Sequence, residues 1–322
     1  MTRYFNDYLG NHPALYARDV IRRLGIKEPP VDENEVAEFL GYEIRNVSLE
    51  DMAEFPDMPD IFRVAPAHLL REVNLILIND DMRRMRKRTC AFHEFGHEIT
   101  PWHDDLNYAC SENGIEPVFL QRFEREAFIC GAEIQMPHHL FICDTLDLPL
   151  SIDAIKNLAT RYDATLETTA IRYAQMNRRI CAIVVIEPWE NCEPTTTILD
   201  QDPTDQPTFP SPFTFPLRKL SSLLLAKDED PPPLRVKYCV RAPRFPSYIR
   251  PGTGITEGNP IFDAWNTEIP LREELPASVF GCLTKEVYNA EIFPLGKTGM
   301  VMALLSLPDH QLVLDSAWES LP

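Results

Sequence analysis

Arg83-Arg84-Met85-Arg86-Lys87-Arg88-Thr89-Cys90-Ala91-Phe92-His93-Glu94-Phe95-Gly96-His97-Glu98-Ile99 is the stretch on which the reading of this chain turns. Phe92, Phe95, Gly96 and Ile99 recur at i, i+3, i+4 and i+7, which buries one stripe of a helix. His93 and His97 lie one turn apart on another face, with Glu94 beside them. Two imidazoles so placed can reach one metal ion, and the carboxylate can reach a water held there. Zinc in such a site polarises a carbonyl and makes the water more acidic, which leaves the glutamate to take its proton and pass it to a leaving amine. The six residues before Thr89 hold five cations. They read either as a solvated first turn or as a positive rim that steers an acidic segment.

A catalytic zinc takes a third protein ligand and keeps one position open. Two candidates compete for that place. His103 follows His97 at the ligand spacing of His-Glu-x-x-His-x-x-Gly-x-x-His, but Thr100 stands where the glycine would turn the chain, and Pro101 follows it. The other candidate lies on a helix expected from about Pro117 to Met136 and closed by Pro137. There Phe123, Ala127, Cys130, Gly131 and Ile134 share a stripe, and small residues at 127, 131 and 132 permit a close approach to another helix. Glu124, beside that stripe, fits a ligand, while Glu126 and Glu133 point further round.

Outward from the site, residues 14–24 have helical spacing and stop at Gly25, and Val36–Leu40 reads as a short helix ended by Gly41. Val73–Asn79 alternates like a strand, and Asn79-Asp80-Asp81 offers an acidic start to the histidine helix. Residues 151–179 hold two helices, the first begun by Ser151, with a turn at Asp163-Ala164; the pair has helix-turn-helix spacing. Cys181–Ile186 reads as a buried strand. Between 187 and 233 prolines punctuate a polar stretch that reads as a linker. Beyond it Leu234–Val240, Val279–Leu283, Ala290–Phe293 and Met300–Leu307 are strand-like. His138 and His139 read as a polar cap after Pro137, and neither they nor Tyr108 has a spacing that marks it for catalysis.

The net charge of −18 repels polyphosphates and disfavours direct nucleic-acid binding in the absence of a strong local patch. No apolar run approaches the ~18 residues of a membrane span, and the N-terminus lacks a signal-peptide layout, so the expected compartment is the cytoplasm, with no membrane partner. Eight cysteines form no Cys-x-x-Cys pair, and read as scattered reduced thiols.

Thr89–His97, Pro101-Trp102-His103 and Glu124-x-Glu126-Ala127 running to Met136-Pro137 together resemble the ImmA/IrrE family of metallo-endopeptidases. The likeness extends over roughly the first 185 residues, and the chain departs from the family pattern at Phe128, Cys130 and Gly131. The resemblance implies that His93, His97 and Glu124 are Zn2+ ligands and that Glu94 is the catalytic general base, while the spacing after His97 keeps His103 as the alternative third ligand. It also implies a helix-turn-helix transcriptional repressor as the protein partner, cleaved in a stress or mobile-element response. The expected fold is α+β: a zincin-like peptidase domain over 1–186 with a small sheet and the helix-turn-helix-like pair at 151–179, a Pro-rich linker over 187–233, and a β-rich, sensor-like domain over 234–322. Two alternatives are a non-catalytic repressor-binding module and a DNA-binding regulator using residues 151–179.

Overall fold

The computed structural model describes residues 12–48, 66–103, 117–177, 179–189 and 232–307. Tyr108 and most of the expected linker lie outside the described residues. Contacts divide the chain into two units: among the described residues, 12–144 and 156–172 form the first, and 145–155 and 173–307 the second.

Helices α1 (Pro13–Leu24) and α2 (Glu33–Leu40) open the described chain. The Asp32 carboxylate caps α2 by accepting the Asn34 N–H, and Gly25 and Gly41 end the two helices at φ 67° and 73°, a conformation that side chains resist. Strands β1 (Glu43–Val47), β2 (Ala67–Leu70) and β3 (Leu75–Asn79) form a sheet of order β1-β3-β2. β1 runs parallel to β3 and β2 antiparallel to it. The expected alternation in β3 holds: Ile76 and Ile78 enter the helical core, while Leu77 meets Val47 on the other face.

The histidine helix α3 (Arg84–Ile99) packs on β2 and β3, and α4 (Pro117–Gln135) packs on α1 and α3. Of the five cations that open α3, Arg88 is buried, Arg86 and Lys87 are partly buried, and Arg83 and Arg84 are exposed. Arg84 and Arg88 pair with Asp163, Arg88 also with Glu33 and the Val31 carbonyl, and Lys87 with Asp80. After Pro137 the chain re-enters helix at once as α5 (His138–Thr145), where the sequence suggested only a polar cap. The expected helical pair is α6 (Ile152–Tyr162) and α7 (Leu166–Met176). Ser151 Oγ accepts the Ala154 N–H at 3.1 Å, and Asp163 between the helices takes φ 49°.

In the second unit β4 (Cys181–Pro188), β5 (Leu234–Arg241), β6 (Gly254–Ile255), β7 (Leu271–Pro276), β8 (Val287–Pro294) and β9 (Val301–Ser306) form an antiparallel sheet of order β6-β5-β4-β9-β8-β7. β4, the last strand of the span 1–186, hydrogen-bonds to β5 and to β9 within this sheet. Helix α8 (Pro260–Thr267) is capped by Asn259 and contributes Ile261 and Ala264 to the core. The expected strand at Val279–Leu283 is instead a tight turn. Residues Ala277–Phe280 coil as a 3-10 helix that buries Ala277 and Phe280 three residues apart, and Gly281 at φ 70° reverses the chain. Among the described residues no helix is long and apolar enough to cross a membrane.

Candidate metal centre

The site depends on how closely α3 and α4 cross. A Cβ on Gly96 would lie 2.1 Å from the Ala127 carbonyl oxygen, and one on Gly131 would lie 2.3 Å from that of Phe92. At each contact a glycine of one helix lies directly against the backbone of the other, an approach that glycine alone permits. This proximity carries Glu124, on the first half of α4, to the histidine face of α3.

Three donors converge there. His93 Nε2 lies 3.1 Å from Glu124 Oε2, His97 Nε2 lies 3.4 Å from Glu124 Oε1, and the two Nε2 atoms are 3.2 Å apart. One ligand atom from each of the three residues lies within 4.8 Å of the others, and this is the metal-type cluster found among the described residues. A tetrahedral ion with arms of about 2.0–2.1 Å holds its ligand atoms about 3.3–3.4 Å apart. The protein separations fall close to that spacing, and two imidazoles with one carboxylate are a donor set that suits zinc. The residues present therefore fit a metal ion.

The electrostatics are those of tightly coupled buried groups. Burial alone would raise the Glu124 carboxyl, but His97 and His93 outweigh it and hold the group far below the ordinary carboxylate range. Burial would likewise lower the His97 imidazole, and the Glu124 charge reverses that and raises it. Glu94 is buried beside the cluster without joining it. Burial raises its carboxyl, a trend that His93 and His97 oppose and Glu124 reinforces.

His103 takes a different position from the three donors. Thr100 Oγ1 bonds the Gly96 carbonyl at 2.7 Å and closes α3, and the Pro101–His103 turn folds back beneath the helix. The His103 ring then sits behind His97, its Nδ1 3.1 Å from His97 Nδ1, and its Nε2 is 3.1 Å from Glu126 Oε2. Burial drops the His103 imidazole to about 4 against the pull of Glu126, and Glu126 is itself held at about 2 by His103, Trp102 and Arg122 in spite of burial. Arg71 binds this end of α3 from the turn between β2 and β3, donating to Glu98 Oε2 at 2.9 Å, to the His97 carbonyl at 2.9 Å and to the His103 carbonyl at 3.2 Å.

Several of these residues escape a reading of the sequence. Arg71 lies in a 3-10 turn with no periodicity to mark it. Glu126 reads as pointing away from the metal, and does, yet its carboxylate organises the far side of His97. Glu133 points further round α4 into a buried pair with Arg172, 2.6 Å away, so this arginine of the helix-turn-helix-like pair spends its charge inside the protein. His138 opens α5 and donates its backbone N–H to Glu133 Oε1 at 3.1 Å, away from the three donors.

A mixed α+β chain in which a His-Glu-x-x-His helix and a glutamate from a second helix assemble three metal donors has a site of the metallopeptidase kind. Residues 54–173 match the family model of Peptidase_M78, the IrrE N-terminal-like domain. Among solved structures, a Mycobacterium tuberculosis transcriptional regulator is similar with a TM-score of 0.50 and 11% identity, over 91% of this chain and 75% of that one. At that identity the likeness is one of fold. No curated protein matches the chain significantly.

Proposed function

We propose that the chain is a cytoplasmic zinc-dependent endopeptidase that cleaves a helix-turn-helix transcriptional repressor and so relieves repression in a stress or mobile-element response. The observation that carries the reading is the convergence of His93, His97 and Glu124 at separations of 3.1–3.4 Å, with buried Glu94 next to them. His93 and His97 present Nε2 atoms from one helix face, and Glu124 presents its carboxylate from the other helix. Zinc, when bound, supplies a Lewis acid that polarises the scissile carbonyl and lowers the pKa of water. Glu94 takes the proton of the attacking water and delivers it to the nitrogen of the departing chain, so one carboxyl serves both steps. The substrate class comes from the family resemblance. A DNA-reading role for α6 and α7 is disfavoured by the burial of Arg172 against Glu133.

The test is incubation of zinc-loaded protein and its Glu94→Gln variant with purified helix-turn-helix repressors, especially any encoded beside it. Expected is truncation of one repressor at one bond, slowed about 10²–10⁴-fold by Glu94→Gln while zinc stays bound. Absence of bound zinc after loading and dialysis at neutral pH would end the reading.

A further inference from the structure

We propose that His103 and Glu126 form a positioning relay behind the metal centre, which fixes the tautomer and ring orientation of His97 so that its Nε2 lone pair faces the ion. The inference rests on the zinc reading above and concerns this chain's own residues. Glu126 as a carboxylate only accepts hydrogen bonds, and it collects three: from Trp102 Nε1 at 2.5 Å, from Arg122 Nε at 2.8 Å and from His103 Nε2 at 3.1 Å. The nitrogen of His103 that faces Glu126 must therefore be its N–H. In a neutral imidazole the other nitrogen, Nδ1, is then an acceptor. Its neighbour is His97 Nδ1 at 3.1 Å, which must supply the proton. His97 is left with an unprotonated Nε2, the atom that lies 3.2 Å from His93 Nε2 and 3.4 Å from Glu124.

The ring of His103 has little freedom to do otherwise. It is wholly buried, with the Phe123 ring edge-on at 5.0 Å and Trp102 edge-on at 6.3 Å. Both of its nitrogens are engaged, so the residue supports a ligand instead of being one. A metal-binding histidine whose second nitrogen donates to a fixed acceptor is both oriented and made a better donor, and loss of such partners commonly weakens metal affinity by about 10–100-fold.

The experiment measures zinc affinity by chelator competition for the wild type, His103→Leu and His103→Gln, with thermal melting of each metal-free protein. Glutamine can accept from His97 through its oxygen and donate to Glu126 through its amide, whereas leucine only fills the space. Expected is about a 10–100-fold loss for His103→Leu and recovery of most of it in His103→Gln. Equal affinity in wild type and His103→Leu overturns the relay, as does an equal loss in both variants with unchanged melting. On the unsubstituted zinc-loaded protein, ¹⁵N-histidine NMR should show His103 protonated at Nε2 and His97 at Nδ1; the opposite tautomers overturn the relay whether or not the variants fold. Wild type that binds no zinc defeats the functional reading itself, a result distinct from either of these.

Discussion

Where α3 crosses α4, the interior holds His93, Glu94, His103, Glu126 and Glu133, all buried. In the six-stranded sheet the interior is mainly apolar, with Val184, Ile186, Val236, Ile292 and Leu305, though it also holds Ser247 against the Tyr288 hydroxyl and Glu187 paired with Arg235. The first interior consists of groups that need partners of given sign and direction, because an unpaired buried charge costs several kcal/mol. The second asks chiefly for volume and shape. The first unit therefore holds donors at defined separations, and the core of the second should tolerate conservative repacking. The same contrast implies different weaknesses: the first interior should fail when a partner, a charge state or a helix separation changes, the second when volume is removed.

The largest expected effect falls on the buried pair. Glu133 accepts from Arg172 at 2.6 Å and from Arg18 at 3.2 Å, with its own side chain only 2% exposed. Glu133→Leu leaves Arg172 charged and uncompensated, so chemical denaturation should show a loss of about 3–5 kcal/mol. The pair also makes the first unit acid-labile. Burial alone would raise the Glu133 carboxyl, but Arg172 and Arg18 overcome it and hold the group below its ordinary value. A depressed carboxylate stabilises the fold fully above the unfolded pKa of about 4.3, and that stability is lost as pH falls through the folded value. Stability measured downward from pH 5 should fall more steeply in the wild type than in Glu133→Leu.

Next in size is a deletion in the apolar core. Ile292 on β8 is 1% exposed, and Ile292→Ala should cost about 2–5 kcal/mol by removing buried surface and leaving a cavity. Zinc affinity of the folded protein should stay unchanged, since none of the three donors belongs to that core. A lowered affinity would mean that the two interiors are energetically coupled.

The sequence made α3 and its histidine face legible because helical periodicity and the His-Glu-x-x-His spacing coincide on one short element. Glu124 was legible for a second reason, the small residues at 127, 131 and 132 that predict a close helix crossing. β1, β2 and β7 were not. β7 reads Leu-Arg-Glu-Glu-Leu-Pro, and as an edge strand it is largely exposed, so it shows none of the alternation that marks a strand with one buried face. The turn at Gly281 was misread because Val279 and Phe280 are β-formers, whereas the positive φ of one glycine decided the local path. Asn259-Pro260 did carry a usable sign of α8, an N-cap followed by a first-turn proline. The relay behind His97 was out of reach, because it joins a turn after one helix to the middle of another, and no local pattern encodes that meeting.

The smallest expected loss of stability should have the most selective consequence. Gly131→Ala adds one methyl whose carbon would start 2.3 Å from the Phe92 carbonyl oxygen, 2.7 Å from its carbon and 3.0 Å from the His93 nitrogen. All three are backbone atoms, so no rotamer change can relieve the clash, and the helices must separate. Overpacking of this kind costs about 1–3 kcal/mol, because the helix itself favours alanine and recovers part of the strain. The displaced backbone is that of His93, however, and Glu124 lies on the helix that moves away from it. A shift of a few tenths of an ångström is tolerable for apolar packing but not for three ligand atoms that have to surround one ion. Melting of the metal-free Gly131→Ala protein should therefore change less than that of Ile292→Ala, while its zinc affinity falls at least tenfold; unchanged affinity would show that the close crossing of α3 and α4 is a feature of packing and not what sets the donor separations.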